Sequence, residues 1–323
     1  MYSGGSMCPP EPTVTIHVKL FRISCPFSNK TRIFACIESK RTDIMAQYLD
    51  PKADLTFKLV FGEHPDLVIS LLNALLPLKE GEEIKEIEYL PTELHPEKPW
   101  KKNSIVDVRC KDIRGRQFIV EMQMIWSSEF KQRVLFNASK AYVRQLGSGE
   151  QYELLQPVYS LNLVNEIYEP DMEEFYHYYT MVHEERTDKV IDGLHLIFVE
   201  LPKFQPHTLK EKKMAVLWLR YLTEITDRTK QIPQELLDSP EVGKAVKILE
   251  KSAYTDAQLA GYEQFWDTVS VEKSIIISSE RKGRAEGKAE EKIAIARKFK
   301  AMGLSTEQIA EGTGLTAAEI EQL

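Results

Sequence analysis

Residues 104–126 constrain this chain more than any other stretch. They read Ser-Ile-Val-Asp-Val-Arg-Cys-Lys-Asp-Ile-Arg-Gly-Arg-Gln-Phe-Ile-Val-Glu-Met-Gln-Met-Ile-Trp, two runs rich in β-branched and aromatic residues around a polar turn that ends in Gly115. That is the pattern of a β-hairpin. If Ile113, Arg114 and Gly115 form a three-residue loop with Gly115 left-handed, Asp112 faces Arg116 and the register is fixed. Counting back along both strands puts Asp107 opposite Glu121. Alternation then places Glu121 and Gln123 on one face, with Phe118, Val120, Met122, Met124 and Trp126 on the other.

Asp and Glu are depleted from strands, and like charges directly opposite repel. A sheet that keeps such a pair offers it a cation or a shared proton. A hard divalent ion such as Mg²⁺ suits carboxylate and amide oxygens and leaves positions open for phosphate. The alternative is a solvated strand face whose charges discourage edge-to-edge pairing. The hairpin by itself leaves both readings open.

Around this hairpin the pattern alternates between helix and strand. Phe57, Val60 and Phe61 predict a helix that Gly62 ends, with Asp54 as its N-cap. Asp66, after Pro65, is expected to cap a second, aliphatic helix reaching Pro77. A strand is expected over 84–90, a loop over 91–102, and a helix over 128–147 that carries Lys131, Arg133, Lys140 and Arg144 and packs beside the hairpin. Strands follow over 158–164, 175–182 and 194–201, the last two joined by a charged connection containing Asp192-Gly193. The fold class is therefore α/β, a mixed sheet flanked by helices, followed by a helical C-terminal region.

Helices are expected over 209–224 and 233–251, and from Thr255, where Gln258 completes a capping box. The charged, Ala-rich run 271–302, interrupted by Gly283 and Gly287, reads either as a solvated connector or as an oligomerisation arm. In the tail, Ser305 pairs with Gln308 and Thr316 with Glu319 as capping boxes. Ala310, Gly314 and Ile320 have helix-turn-helix spacing, but Glu319 and Glu321 stand where a DNA reader wants basic residues. A packing or protein-contact role fits that tail better.

Charge is distributed unevenly. The whole chain carries −7, a poor signature for a general nucleic-acid binder, yet residues 98–144 hold eleven basic residues against four acidic ones. Basic residues around an acidic metal site suit a phosphodiester. No apolar run has the length of a membrane span, and no secretory pattern opens the sequence. Cys8, Cys25, Cys36 and Cys110 form no C-x-x-C pair, which suits a reducing cytoplasm. Residues 1–44 hold three of these cysteines and read as an upstream extension, with a hairpin from 14–18 to 33–37 as the alternative. The seven histidines show no paired metal spacing.

Asp107, thirteen intervening residues and Glu121-x-Gln123 resemble the active-site hairpin of the PD-(D/E)xK nuclease superfamily, most closely the recombination-promoting nuclease (Rpn) family, also described as transposases. The resemblance runs from residue 48 to the C-terminus. It includes Asp54-x-x-Phe57-Lys58-x-x-Phe61-Gly62, Leu71-Leu72-Asn73, Arg133, Gln145 and Glu200-Leu201-Pro202-Lys203-Phe204. It implies a cytoplasmic DNA endonuclease acting in recombination, with residues 45–204 as the nuclease domain, 205–270 a helical region and 271–323 a charged helix with its tail. Mg²⁺, or Mn²⁺, is expected on Asp107 and Glu121, with Asp54 as a further ligand. Gln123 stands where the superfamily carries Lys and is expected to act in catalysis by offering a carbonyl oxygen to metal or water, while Arg133 or Lys58 is expected to supply the missing cation. Lys58, Lys111, Arg114, Arg116 and Arg133 are the expected DNA contacts, and the C-terminal helices the expected route to a homo-oligomer. That same Gln123 motivates a rival reading, a catalytically degenerate DNA-binding or assembly protein on a nuclease fold.

Overall fold

The computed structural model describes residues 47–94, 104–206 and 213–323. The readings for 1–44, for Lys98, Lys101 and Lys102, and for the first residues of the helix expected at 209 lie outside them. Two helices come first, α1 (Asp54–Gly62) and α2 (Pro65–Leu75). Neither is capped as expected. Ala53 is the N-cap of α1, Thr56 Oγ1 donates to the carbonyls of Asp50 and Ala53 at 2.6 and 2.9 Å, and Asp54 in the first turn pairs with Lys58 at 2.6 Å. In α2 the cap is His64, because Pro65 takes the first helical position, where its missing N–H costs nothing. Asp66 then lies one residue inside and pairs with Lys244 at 2.7 Å. The helix stops at Leu76, which is extended because Pro77 follows it.

The sheet strands are β1 (Ile87–Tyr89), β4 (Val108–Asp112), β5 (Gln117–Gln123), β6 (Val158–Val164), β7 (Tyr176–His183) and β8 (Arg186–Glu200). A separate two-strand ladder, β2 (Glu93–Leu94) with β3 (Ser104–Ile105), occupies part of what the sequence suggested was only loop. The six-stranded order is β1-β4-β5-β6-β8-β7, with β5, β6 and β8 mutually parallel and the outer pairings antiparallel. The helix α3 (Phe130–Val143) makes the crossover from β5 to β6. Every residue of β6 is buried, as expected of a central strand covered on both faces.

One face carries the main core, where Phe57, Phe61, Leu71, Val120, Leu161 and Trp218 meet. The other face packs on α3 through Ile119, Ala138, Ala141, Val134 and Phe198. Trp126 belongs to this second face, not to the face of Phe118 and Val120. The strand ends at Gln123, so alternation stops there, and the Trp126 ring stacks on Tyr168 with centroids 4.1 Å apart. A second correction concerns β8, which begins eight residues before the expected 194. The turn is Glu184-Glu185, and Asp192-Gly193 lies inside the strand. Only from Leu194 does β8 pair with β6; before that the β7–β8 arm is exposed on both faces and lacks the apolar alternation that marks a strand.

The helical region holds α4 (Lys213–Glu224), α5 (Gln234–Leu237), α6 (Pro240–Ile248), α7 (Asp256–Ala301), α8 (Thr306–Thr313) and α9 (Ala317–Glu321). The single helix expected over 233–251 is two, since Pro240 restarts the helix with Ser239 as cap. Conversely, α7 is one 46-residue helix from the Thr255 capping box onward, uninterrupted at Gly283 and Gly287. Its start packs on Leu49, Ala53, Met124 and Ile125; its end forms a small core with α8 and α9 through Ala296, Ile309 and Ile320. Among the described residues no helix is long and apolar enough to cross a membrane.

Candidate active site

The hairpin closes with the expected register. Gly115 is left-handed at φ 82°, the Asp112 N–H donates to the Arg116 carbonyl at 3.0 Å, and Val108 pairs with Val120. One step further stand Asp107 and Glu121. Asp107 lies just before β4, and its Oδ2 accepts from the Met122 N–H at 2.8 Å, so the carboxylate is tied to β5. Glu121 is 6% exposed, and its Oε1 accepts from Asn137 Nδ2 of α3 at 3.1 Å.

Both carboxyls are pushed above their ordinary range. Burial is the main cause for Asp107; the Met122 N–H, Lys58 and Arg133 oppose it, and Asp54 adds to it. Glu121 rises to about 7, through burial first and the Asp107 charge second, with Asn137 and Arg133 pulling the other way. A buried acid whose ionisation a neighbouring, half-buried carboxylate disfavours suits a site that receives a cation.

The other expected residues divide into two groups. Gln123 is bound at both ends of its amide: Oε1 accepts from Arg133, and Nε2 donates to the Ile125 carbonyl. The Arg133 guanidinium also lies 4.8 Å from the Phe130 ring centroid. Lys58, 42% exposed, stands close enough to Asp107 to stabilise its charge. Asp54 is engaged by Lys58, and among the described residues no set of three or more His, Cys, Asp or Glu comes together as a metal cluster.

Lys111, Arg114 and Arg116 are not brought to the carboxylates. They sit at the turn end of the hairpin, about 15 Å along the strand at ~3.3 Å per residue. Arg116 is 6% exposed and committed to Asp112 and the Glu82 carbonyl, Lys111 pairs with Glu88, and Arg114 donates to the Gly81 carbonyl.

Several residues that carried the resemblance prove to hold the scaffold. The Asn73 amide exchanges two 2.8 Å hydrogen bonds with the Ile84 backbone, and the Gln145 amide exchanges bonds of 2.8 and 3.0 Å with the Gln156 backbone. Glu200, fully buried, accepts from His177 Nε2 at 2.9 Å, from Lys203, and from the backbone of Tyr168 and Glu169. Asn137 is the site residue that sequence reasoning missed. Its signal was a polar side chain in the buried stripe Phe130, Val134, Ala138, Ala141.

Do these residues fit a hard divalent ion? The buried Glu121 and half-buried Asp107 carboxylates have no ion-pair partner among the described residues, and the Oδ1 of Asn137, whose Nδ2 donates to Glu121, is buried without a hydrogen-bond donor. Carboxylate plus neutral amide oxygen is the donor set that Mg²⁺ and Mn²⁺ accept, so the fit is good. A family model described as PD-(D/E)XK nuclease family transposase matches residues 51–276. Comparison with curated proteins and with solved structures gives no match.

Proposed function

The chain belongs to the PD-(D/E)XK nuclease family transposases, and from that premise we propose that it is a divalent-metal-dependent DNA endonuclease acting in DNA recombination. The observation that carries the proposal is the pair of half-buried Asp107 and buried Glu121, each fixed by one hydrogen bond from a different element. These two carboxylates would hold Mg²⁺ or Mn²⁺. Such an ion polarises a scissile phosphate and lowers the pKa of the attacking water.

The remaining roles fall to side chains of this chain. Gln123 cannot supply the positive charge of the family lysine. Its carbonyl instead accepts from Arg133, so a guanidinium stands beside Gln123. Arg133 is exposed and can meet a phosphate oxygen; Lys58 approaches Asp107 from α1. Together they would offset the negative charge carried by the phosphoryl oxygens in the transition state. Lys58 and Arg133 are the DNA contacts nearest the chemistry, with Lys111 and Arg114 as more distant ones. The buried free thiol of Cys110 accords with a cytoplasmic setting.

The same Gln123 supports the rival reading, a degenerate DNA-binding protein. A supercoiled-plasmid nicking assay across a Mg²⁺ and Mn²⁺ titration separates the two. Metal-dependent relaxation is the expected result; DNA binding that ignores metal, with no nicking at any concentration, supports the rival.

A further inference from the structure

Asn137 is 2% exposed and projects from the buried stripe of α3, where its neighbours are Val134, Ala138 and Ala141. A polar residue in such a stripe needs partners for both amide atoms. One is present: Nδ2 donates to Glu121 Oε1 at 3.1 Å. The other is not, for Oδ1 is buried with no donor. The two atoms share one planar amide, so the orphan oxygen lies in the same buried region as the Glu121 carboxylate. The hydrogen bond also fixes the amide orientation, since an oxygen turned toward an ionised Glu121 would meet another acceptor.

Resting on the metal-nuclease reading above, we propose that Asn137 supplies a third, neutral oxygen to the cation site formed by Asp107 and Glu121. The acidic side chains of the described residues provide no third member there: Asp54 is engaged by Lys58, and no larger cluster of His, Cys, Asp or Glu exists. Gln123, the other nearby amide, already has its oxygen on Arg133. Asn137 alone combines burial, contact with Glu121 and an unused carbonyl oxygen, a donor that hard divalent ions accept. Its N–H also orients Glu121, so one residue both positions a ligand and adds one.

The test is calorimetric titration of the full chain with MnCl₂ alone, without DNA, on wild type, Asp107→Ala, Asn137→Leu and Asn137→Asp, with metal-free melting temperatures recorded in parallel. Asn137→Leu should weaken Mn²⁺ binding by roughly 10- to 100-fold, the usual range for residues supporting a metal site. Its metal-free melting temperature should fall only modestly, because an unpaired buried oxygen is removed while the Glu121 carboxyl loses its Asn137 donor. Asn137→Asp keeps the oxygen and adds charge; it should bind Mn²⁺ at least as tightly as wild type, melt lower without metal and recover on adding it. This variant decides the matter should the leucine form fail to fold. Wild-type Mn²⁺ affinity in Asn137→Leu, with binding lost in Asp107→Ala, overturns the inference and leaves the nuclease reading standing, as does weakened binding in Asn137→Asp. A wild-type protein that binds no Mn²⁺ overturns the reading beneath it, and the inference with it.

Discussion

Glu121 and Asp107 are held in a protonation balance that measurement can reach. Glu121 is raised from an ordinary 4.5 to about 7 by burial and by Asp107. A raised value means that the folded state binds the proton more tightly than the unfolded chain. The resulting stabilisation is fully present below pH 4.5 and is lost as pH rises through about 7. Metal-free protein should therefore melt lower at about pH 8 than at about pH 5, and Glu121→Gln should remove most of that slope, gaining about 2–3 kcal/mol at the alkaline end. Parallel pH curves for the two proteins would show that Glu121 is not desolvated in this way. Much of this site is legible in the sequence, because one glycine sets the loop and the loop sets the register that opposes Asp107 to Glu121. What is not legible depends on tertiary neighbours. Arg116 reads as a free cation until Asp112 and the Glu82 carbonyl enclose it, and Asn137 reads as one more helix residue until α3 lies against β5.

Two small elements hold the sheet in the shape that the site needs. The first is the Gly115 turn. At φ 82° an L side chain is strained, and a Cβ there would lie 3.1 Å from Gln156 Cγ. Gly115→Ala should cost about 1–2 kcal/mol in urea denaturation, and Gly115→Asn less, since Asn tolerates that region. Equal stability of the alanine form would contradict the loop geometry. The second is the clamp of Glu200, His177 and Lys203, in which Lys203 also donates to the carbonyls of Glu169 and Met172 at 2.6 and 2.8 Å. Against burial, which raises it, hydrogen bonds from Lys203 and His177 hold the Glu200 carboxyl below its ordinary range. Its contribution is present above the ordinary Glu range and is lost as pH falls through the depressed value. Lys203→Met should destabilise by about 3–5 kcal/mol, with part recovered in the Lys203→Met, Glu200→Gln double variant, because the single change strands a buried charge. An additive double variant would contradict coupling. Two of the element boundaries that the sequence misplaced share one cause. The β7–β8 arm and the middle of α7 bury almost nothing, so neither carries the apolar period by which strands and helices are read.

The charge of the whole molecule, −7, has to be reconciled with the proposed polyanionic substrate. The cations proposed to meet DNA nearest the carboxylates are Lys58 on α1 and Arg133 on α3, both close enough to lower the Asp107 carboxyl's pKa. Each of Lys58→Ala and Arg133→Ala should weaken DNA binding regardless of sequence and flatten its salt dependence by about one unit of slope. Deleting residues 304–323 should leave affinity and slope unchanged, since that segment has no basic residue and its buried side chains pack on the end of α7. Loss of sequence-specific binding on that deletion would make the tail a DNA reader after all. All of this depends on one claim, that the Asp107–Glu121 pair is a metal-dependent phosphodiesterase centre. Plasmid cleavage in Mn²⁺ by Asp107→Asn, whose shape and volume match wild type, tests it most directly. Cleavage should fall by roughly a thousandfold or more, about 4 kcal/mol of transition-state stabilisation, with the melting temperature retained. Cleavage at the wild-type rate by a folded Asp107→Asn protein would contradict the claim.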